Sequence, residues 1–418
     1  MNEFTVKRVF QSSVTTGFVA TVISFVLACI IWPIWSIVMK SVFSALAATG
    51  IAAAPELGAT LITIMVEGSW FWLLIHPWIW LILVLGACGK TTFSSQQPYT
   101  GLSYTVMALI TGALAFFVVF GFIGIWWKPF NLVLMLMPKT AEDVALAILG
   151  WEAATYFIFP FIMVQISFVA LFHKWPFAGT SKPAIENWGV MFFSTLVAVI
   201  FWIAAIVPSF MPLAIGGEQV VFPPMGSWAT FAAFCQAFIF VFLIPAEGGE
   251  GYPMKFFAKK QPLMGVIGFL IALAAGFILP PIIRGIVAPM NLLPGAPVDL
   301  VVASLLLSCI TCLLAWHSLF DDFPSVQDVP NKSARVLIRL AIWLILGFGL
   351  GTIWIKTFTK IPFGANDLGL GLPTMGVLGG QLAFLTVVLY LSAFFDKWPL
   401  IYKEPLSTSK KEITSRFN

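Results

Sequence analysis

The chain has 418 residues, of which 60% are hydrophobic and only 10% are charged, and its formal net charge is +4 at pH 7. Its mean hydropathy of +0.98 lies far outside the range of water-soluble domains. This composition excludes a soluble globular protein, and apolar runs recur so evenly that no stretch is left for a separate soluble domain. We therefore predict a single all-α, polytopic integral membrane domain.

Ten apolar runs are long enough to cross a hydrocarbon core of about 30 Å as helices. The first follows Lys7 and Arg8 and is longer than the apolar part of a signal peptide, which predicts a retained helix. The ten predicted spans cover residues 14–38, 69–88, 102–126, 147–172, 188–211, 227–246, 263–283, 299–316, 334–355 and 374–395.

Two further apolar segments are too interrupted or too short to be predicted as spans. Residues 39–68 contain Pro55 and Gly58, which favours an external connector in the form of a surface helix or a re-entrant segment. The apolar run within residues 128–140 predicts a short helix lying flat at the membrane interface.

The connectors after even-numbered spans repeat a tryptophan-proline motif. "FHKWPFAGTSKP" starts at Phe172, and "FFDKWPLIYKEP" starts at Phe394. Related connectors recur at a period of roughly 75–80 residues, which predicts five tandem helical hairpins. Their approximate limits are 1–90, 91–176, 177–255, 256–324 and 325–404, followed by a short tail over 405–418. Lysine, aromatic residues and proline at a membrane interface also explain the motif without any ligand.

Basic residues are distributed unequally between the two sets of connectors. Fifteen of the 22 lysines and arginines lie in the two tails and in connectors after even-numbered spans, whereas six lie in the other connectors. The positive-inside rule therefore predicts that both termini are cytoplasmic. We expect a multi-pass protein of the bacterial cytoplasmic (inner) membrane.

Ionisable residues at membrane depth are candidate functional residues, because an unpaired charge there is costly. The first candidates for transport or ion coupling are Glu152, which lies inside the fourth span, and Glu247 and Glu250, which lie on a glycine-rich turn. The secondary candidates are Glu67, His76, Arg284 and His317. Most of these lie near span ends, where contact with water or headgroups is the alternative interpretation.

Three glutamines in descending helices complete the candidate set: Gln165, Gln236 and Gln381. Each is expected either to contact a substrate or to hydrogen-bond a neighbouring helix. The sequence has no recognisable motif for catalysis, a cofactor, a metal or nucleic acid, so we predict no catalytic residues, no cofactor and no metal site.

The leading hypothesis is a gradient-driven transporter or channel for a small solute, with an organic anion among the candidates. The alternative is a membrane-embedded enzyme, or the membrane-anchor subunit of a complex, that acts on an apolar or lipid substrate. A scaffold that binds partner helices is a third hypothesis. Beyond the lipid bilayer, the expected partners are an unidentified small molecule and either a partner membrane subunit or a second copy of the chain.

Overall fold

A computed structural model describes residues 4–86, 97–180, 182–205, 224–359 and 375–405. In chain order its apolar helices are α1 Ser13–Leu46, α2 Pro55–Val84, α3 Tyr99–Ile123, α4 Ala141–Ala170, α5 Pro183–Ala204, α6 Trp228–Leu243, α7 Leu263–Met290, α8 Val298–Phe320, α9 Lys332–Phe358 and α10 Val377–Ala393. All except α6 and α10 are at least 18 residues long and apolar enough to span a membrane. The all-α multi-pass class is therefore confirmed, whereas ten crossings and five hairpins stay predictions. The predicted hairpin limit at residue 90 and the tail beyond Pro405 lie outside the described residues.

Residues 39–68, predicted as a connector, are helical over most of their length. Helix α1 continues to Leu46, and α2 begins at Pro55 rather than near residue 69. Proline suits the first turn of a helix, where its missing N–H would have no helical partner. Only the short helix Ala48–Ala53 lies between the two long helices.

Residues 128–140 form a 3₁₀ turn, Lys128–Phe130, and a short helix, Leu132–Leu136. This segment packs on α4, because the Trp151 indole donates a hydrogen bond of 2.9 Å to the Met135 carbonyl. Helix α4 then starts at a capping box formed by Thr140 and Asp143.

Helices with odd and even numbers differ sharply in burial. In the most apolar window of α1, α3, α5, α7 and α9, only 17–28% of the residues are buried. The corresponding share is 72–83% in α2, α4 and α8, and most residues of α6 and α10 are also buried. The even-numbered helices therefore form an inner layer, and the odd-numbered helices form an outer layer around it.

Small residues attach the outer helices to the inner layer. In α3 the buried small residues are Thr100, Gly101, Ala108 and Gly112, which lie on one face of the helix. A Cβ atom at Gly112 would lie 2.3 Å from the Trp72 carbonyl oxygen of α2, so the two backbones are in direct contact there. Close approach through small residues is a common way for membrane helices to pack.

The inner layer closes into a ring. Contacts join α2 to α4, α4 to α6, α6 to α8 and α8 to α10, and α10 returns to α2. At the closure, the Trp70 indole of α2 donates to Thr386 Oγ1 at 3.1 Å, and the Tyr390 hydroxyl donates to the Leu74 carbonyl at 2.9 Å. These two side-chain bonds connect parts of the chain that are more than 300 residues apart.

The two ends of the described chain meet on one side of the ring. Strand β1, Phe4–Arg8, pairs antiparallel with strand β2, Ile401–Pro405. Asp321 adds an ion-pair bridge, with Oδ2 lying 3.2 Å from Arg8 Nη1 and Oδ1 lying 2.6 Å from Lys397 Nζ. We call this side the terminal face and the opposite side the distal face.

Phenylalanines from the ends of inner helices dock on glycines at the starts of outer helices. A Cβ atom at Gly17 of α1 would lie 2.5 Å from the Phe320 ring, which ends α8. Similar short distances join Gly101 of α3 to Phe395 and Gly265 of α7 to Phe172. Each pair interlocks an outer helix with an inner helix that is distant in sequence.

Candidate functional site

Two cavities lie in line inside the ring, and residues of all five inner helices line each of them. The proximal cavity, towards the terminal face, has a volume of about 420 Å³. The distal cavity has a volume of about 350 Å³. Four residues line both cavities and form the layer between them, which we call the shared layer: Phe71, Phe159, Gln236 and Leu382.

Two carboxylates line the distal cavity, Glu67 on α2 and Glu152 on α4. Helices α2 and α4 approach closely beside them, because a Cβ atom at Gly68 would lie 2.8 Å from Trp151 and 3.0 Å from Thr155 Oγ1. The threonines Thr60, Thr63 and Thr155 add hydroxyl groups to the lining. No basic side chain is among the described residues that line this cavity.

The two carboxylates differ in their hydrogen bonds. Glu152 accepts one from the side chain of Trp228, at the start of α6. Glu67 Oε1 is buried and has no hydrogen-bond partner. It lies next to α10, where a Cβ atom at Gly379 would be only 2.9 Å from it. The distal cavity therefore holds an acidic oxygen whose bonding capacity no described residue satisfies.

Aromatic rings continue from the carboxylates towards the shared layer. The rings of Trp228 and Tyr156 stack with centroids 4.4 Å apart, and Tyr156 stacks on Phe159 at 5.6 Å. Phe159 in turn lies 6.1 Å from Phe71. We call this set of four rings the aromatic wall.

The proximal cavity has a mainly aliphatic lining and a charged end. Its aliphatic residues include Ile79, Ile239, Leu307 and Leu385. At the terminal face, His317 Nε2 lies 2.9 Å from Glu247 Oε2, and His317 Nδ1 lies 2.9 Å from Asp322 Oδ2. This cluster joins the end of α8 to the turn after α6 and lies at the mouth of the cavity.

A third cavity of about 400 Å³, the vestibule, continues from this mouth. Leu83, Ile166 and Glu247 line both the vestibule and the proximal cavity. His173 and Lys255 line the vestibule further on. Burial and the positive charge of Lys255 lower the pKa of His173. Three cavities thus form a succession from the distal cavity to the terminal face.

The predicted candidates fall into two groups in the structure. Five of them line the two axial cavities: Glu67 and Glu152 in the distal cavity, Gln236 in the shared layer, and Glu247 with its partner His317 at the proximal mouth. Glu250 lines the vestibule, and its Oε1 pairs with Arg335 Nη2 at 2.6 Å.

The remaining candidates lie away from the two axial cavities. Gln165 and Gln381 hydrogen-bond neighbouring helices. His76 is buried against aromatic rings, the nearest being Trp80 with a centroid distance of 4.2 Å. Arg284 pairs with Asp299 at 2.5 Å on the distal side.

Sequence reasoning missed most of the aromatic wall. Phe71 follows Glu67 by four residues, and Tyr156 follows Glu152 by four residues, so each pair lies on one helix face. This repeated spacing of acid and aromatic residue was the available signal. It was hidden by the abundance of aromatic residues, 15% of the chain, for which membrane interfaces are the ordinary explanation.

No family model, curated protein or solved structure matches the chain. The function is therefore inferred from the cavities and the side chains that line them.

Proposed function

We propose that the protein is a transporter or channel that moves a small solute along the axis of the inner ring. The observation that carries this proposal is that two cavities lie in line, each lined by all five inner helices, and meet at a single shared layer. Binding sites near the middle of the membrane, between helices that enclose them, are common in transporters. The five-hairpin arrangement belongs to the same proposal, with one helix of each hairpin lining the path.

The charges along this path favour a cation over the organic anion considered from sequence. Glu67 and Glu152 line the distal cavity, and the Arg284 guanidinium on that side is already paired with Asp299. A cavity with acidic groups and without basic lining residues attracts positive charge. Glu152 and Glu247, near opposite ends of the path, are then the proposed coupling sites for an ion gradient.

The shared layer and the His317–Glu247 pair are the two proposed closures of the path. The layer is made of three apolar side chains and one glutamine, so a solute can pass only if these side chains move apart. The second proposed closure is the His317–Glu247 pair, which lies at the proximal mouth. Two closures in series would allow access to alternate between the two faces.

The proposal is tested by solute flux into proteoliposomes containing the native chain, Glu152→Gln or the matched control Glu142→Gln. Glu142 lies on the same helix, but its side chain is 69% exposed and outside the cavities. We expect uptake driven by a proton or sodium gradient in the native chain and the control, and its loss in Glu152→Gln. A panel of labelled cations, anions and amino acids identifies which solute moves.

A second variant tests the route itself. Leu382→Trp places a larger side chain in the shared layer, whereas Leu350→Trp changes an exposed position on α9. We expect the first substitution to abolish flux and the second to leave it unchanged. If no solute moves through folded, correctly oriented native protein, transport is refuted and an enzyme or membrane-anchor subunit acting on an apolar substrate becomes the better explanation.

A further inference from the structure

We propose that the distal cavity is a binding site for a small organic cation, such as a protonated amine or a quaternary ammonium ion. This inference rests on the proposed function, since it names the class of solute that the same path would take. It is carried by the combination of two carboxylates, one unsatisfied buried oxygen and an adjoining aromatic wall.

The unsatisfied oxygen is the observation that points to a ligand. Glu67 Oε1 is buried and has no hydrogen-bond partner, and the residue that carries it lines a cavity of about 350 Å³. A buried carboxylate without a partner is costly, and a bound cation would offset that cost. Glycine at position 379 lets α10 pack directly against this oxygen, since a Cβ atom there would lie only 2.9 Å from it.

The aromatic wall indicates that the cation is organic. The rings of Trp228, Tyr156, Phe159 and Phe71 form a continuous series that starts at the Glu152 side chain and ends in the shared layer. Ammonium groups are attracted to the faces of such rings, and quaternary ammonium ions are recognised by cages of them. The carboxylates would bind the charge, and the wall would contact the attached alkyl groups.

Calcium and transition metals fit the same cavity less well. Calcium needs about six to eight oxygen ligands, and transition metals need clustered histidine, cysteine or carboxylate groups. Within the part of the chain that the structure describes, no three such side chains come together in a metal-binding arrangement. The cavity volume is also in the range of small-molecule sites, about 300–1,000 Å³.

The test measures binding directly, so that it does not depend on transport. The native chain in lipid nanodiscs is titrated with radiolabelled tetraethylammonium, and we expect saturable binding that a large excess of calcium does not displace. Glu67→Gln and Glu152→Gln should each weaken binding at least about thirtyfold, because each removes a carboxyl group that would pair with the bound cation. Trp228→Leu should weaken it about three- to thirtyfold, and Glu142→Gln should leave it unchanged.

A second measurement uses the native sequence and so avoids variants that fold poorly. Carboxyl groups are labelled with a hydrophobic carbodiimide, and the labelled glutamates are identified by peptide mass spectrometry. Tetraethylammonium should slow labelling at Glu67 and Glu152 while leaving Glu142 unaffected. Equal labelling with and without the ligand, or a complete lack of saturable binding, would overturn the inference.

The outcomes also separate this inference from the proposed function. Binding of tetraethylammonium without flux of any solute supports the cation site and refutes transport. Flux confined to anions or to inorganic ions, with no binding of tetraethylammonium, refutes the cation site and leaves transport standing.

Discussion

At the scale of single residues, the three buried glutamines have different surroundings. Gln165 accepts a hydrogen bond from the Trp80 indole at 2.9 Å and donates one to Thr195 Oγ1 at 3.0 Å. Gln381 accepts from Ser304 at 3.1 Å and donates to Ser308. Gln236 instead lines both axial cavities. The first two hold helices together, and the third is the polar member of the shared layer.

We therefore expect Gln165→Leu to reduce stability and Gln236→Leu to reduce solute flux. Gln165→Leu leaves the Trp80 indole and Thr195 without their partner, which should cost about 1–3 kcal/mol of unfolding free energy. Gln236→Leu should change stability little but reduce solute flux. Thermal unfolding in detergent and proteoliposome flux measure the two effects. Equal loss of stability in both variants would contradict this division of roles.

The candidate residues show what a single sequence can reveal about this site. Glu67, Glu152 and Glu247 were identified because charge is rare and costly in a membrane span. Their grouping on one axis was not predictable, since it depends on contacts between helices far apart in the chain. Trp228 and Phe71 were missed for a different reason, namely that an aromatic residue in a membrane helix has several ordinary roles.

At the scale of elements, the docking of phenylalanines on glycines determines how the outer helices are placed. On α7, Gly265 faces the Phe172 ring, and a Cβ atom there would lie 2.4 Å from it. Gly285 on the same helix has no atom of another element within 4 Å of the equivalent position. The two glycines therefore give a matched pair for testing the contact.

We expect Gly265→Ala to lower the free energy of unfolding by about 1–3 kcal/mol, because the added methyl group overlaps the Phe172 ring. Gly285→Ala should be neutral or stabilising by up to about 1 kcal/mol, since alanine favours a helix more than glycine does. Denaturation in detergent measures both. The double variant Gly265→Ala with Phe172→Ala should lose less unfolding free energy than the sum of the losses in the two single variants. Fully additive losses would refute the contact.

The helices α1 and α2 are longer than the spans predicted from the sequence. The hydropathy pattern located both spans, but Pro55 and Gly58 were interpreted as interruptions of a connector. In the structure Pro55 opens α2, and Gly58 lies against Ile51 of the preceding short helix. Proline and glycine mark a helix start and a close contact here, and the tertiary packing that separates these roles is not visible in a local window.

At the scale of the whole molecule, Asp321 connects both ends of the described chain to the end of α8. Burial alone would raise the pKa of its carboxyl group, but the hydrogen bond and charge of Lys397 and the charge of Arg8 outweigh burial and hold the pKa below its usual range. A carboxyl group whose pKa is lowered by folding stabilises the folded state above its unfolded pKa. That stabilisation is lost as the pH falls through the folded pKa.

We expect Asp321→Asn to lower stability at pH 7 by roughly 1 kcal/mol or less, as for other partly exposed ion pairs. The difference from the native chain should shrink below about pH 4 and vanish once Asp321 is protonated in both states. Asparagine also tolerates the left-handed backbone at this position, where φ is 53°. Unfolding measured from pH 7 down to pH 3 checks this, and a constant difference would exclude the bridge as its cause.

The pairing of β1 with β2 has a consequence for topology. Because the strands are hydrogen-bonded to each other, both ends of the described chain lie on the same face of the membrane. We predict that this is the cytoplasmic face, from the excess of basic residues. Fluorescent-protein and alkaline-phosphatase fusions at each end should report a cytoplasmic location for both. A periplasmic signal at either end would refute the orientation.

The docking of Phe320 on Gly17 also affects the order of events during synthesis. The two residues are separated by 303 positions (320 minus 17), so at about 5–20 residues per second the ribosome needs roughly 15–60 s to make the partner of Gly17. A similar delay separates the synthesis of Gly101 from that of its partner, Phe395. During that interval the surfaces around Gly17 of α1 and Gly101 of α3 lack their final partners, and lipid or an insertion factor must cover them. The last two inner helices to be made, α8 and α10, therefore provide the final contacts for the outer helices α1 and α3.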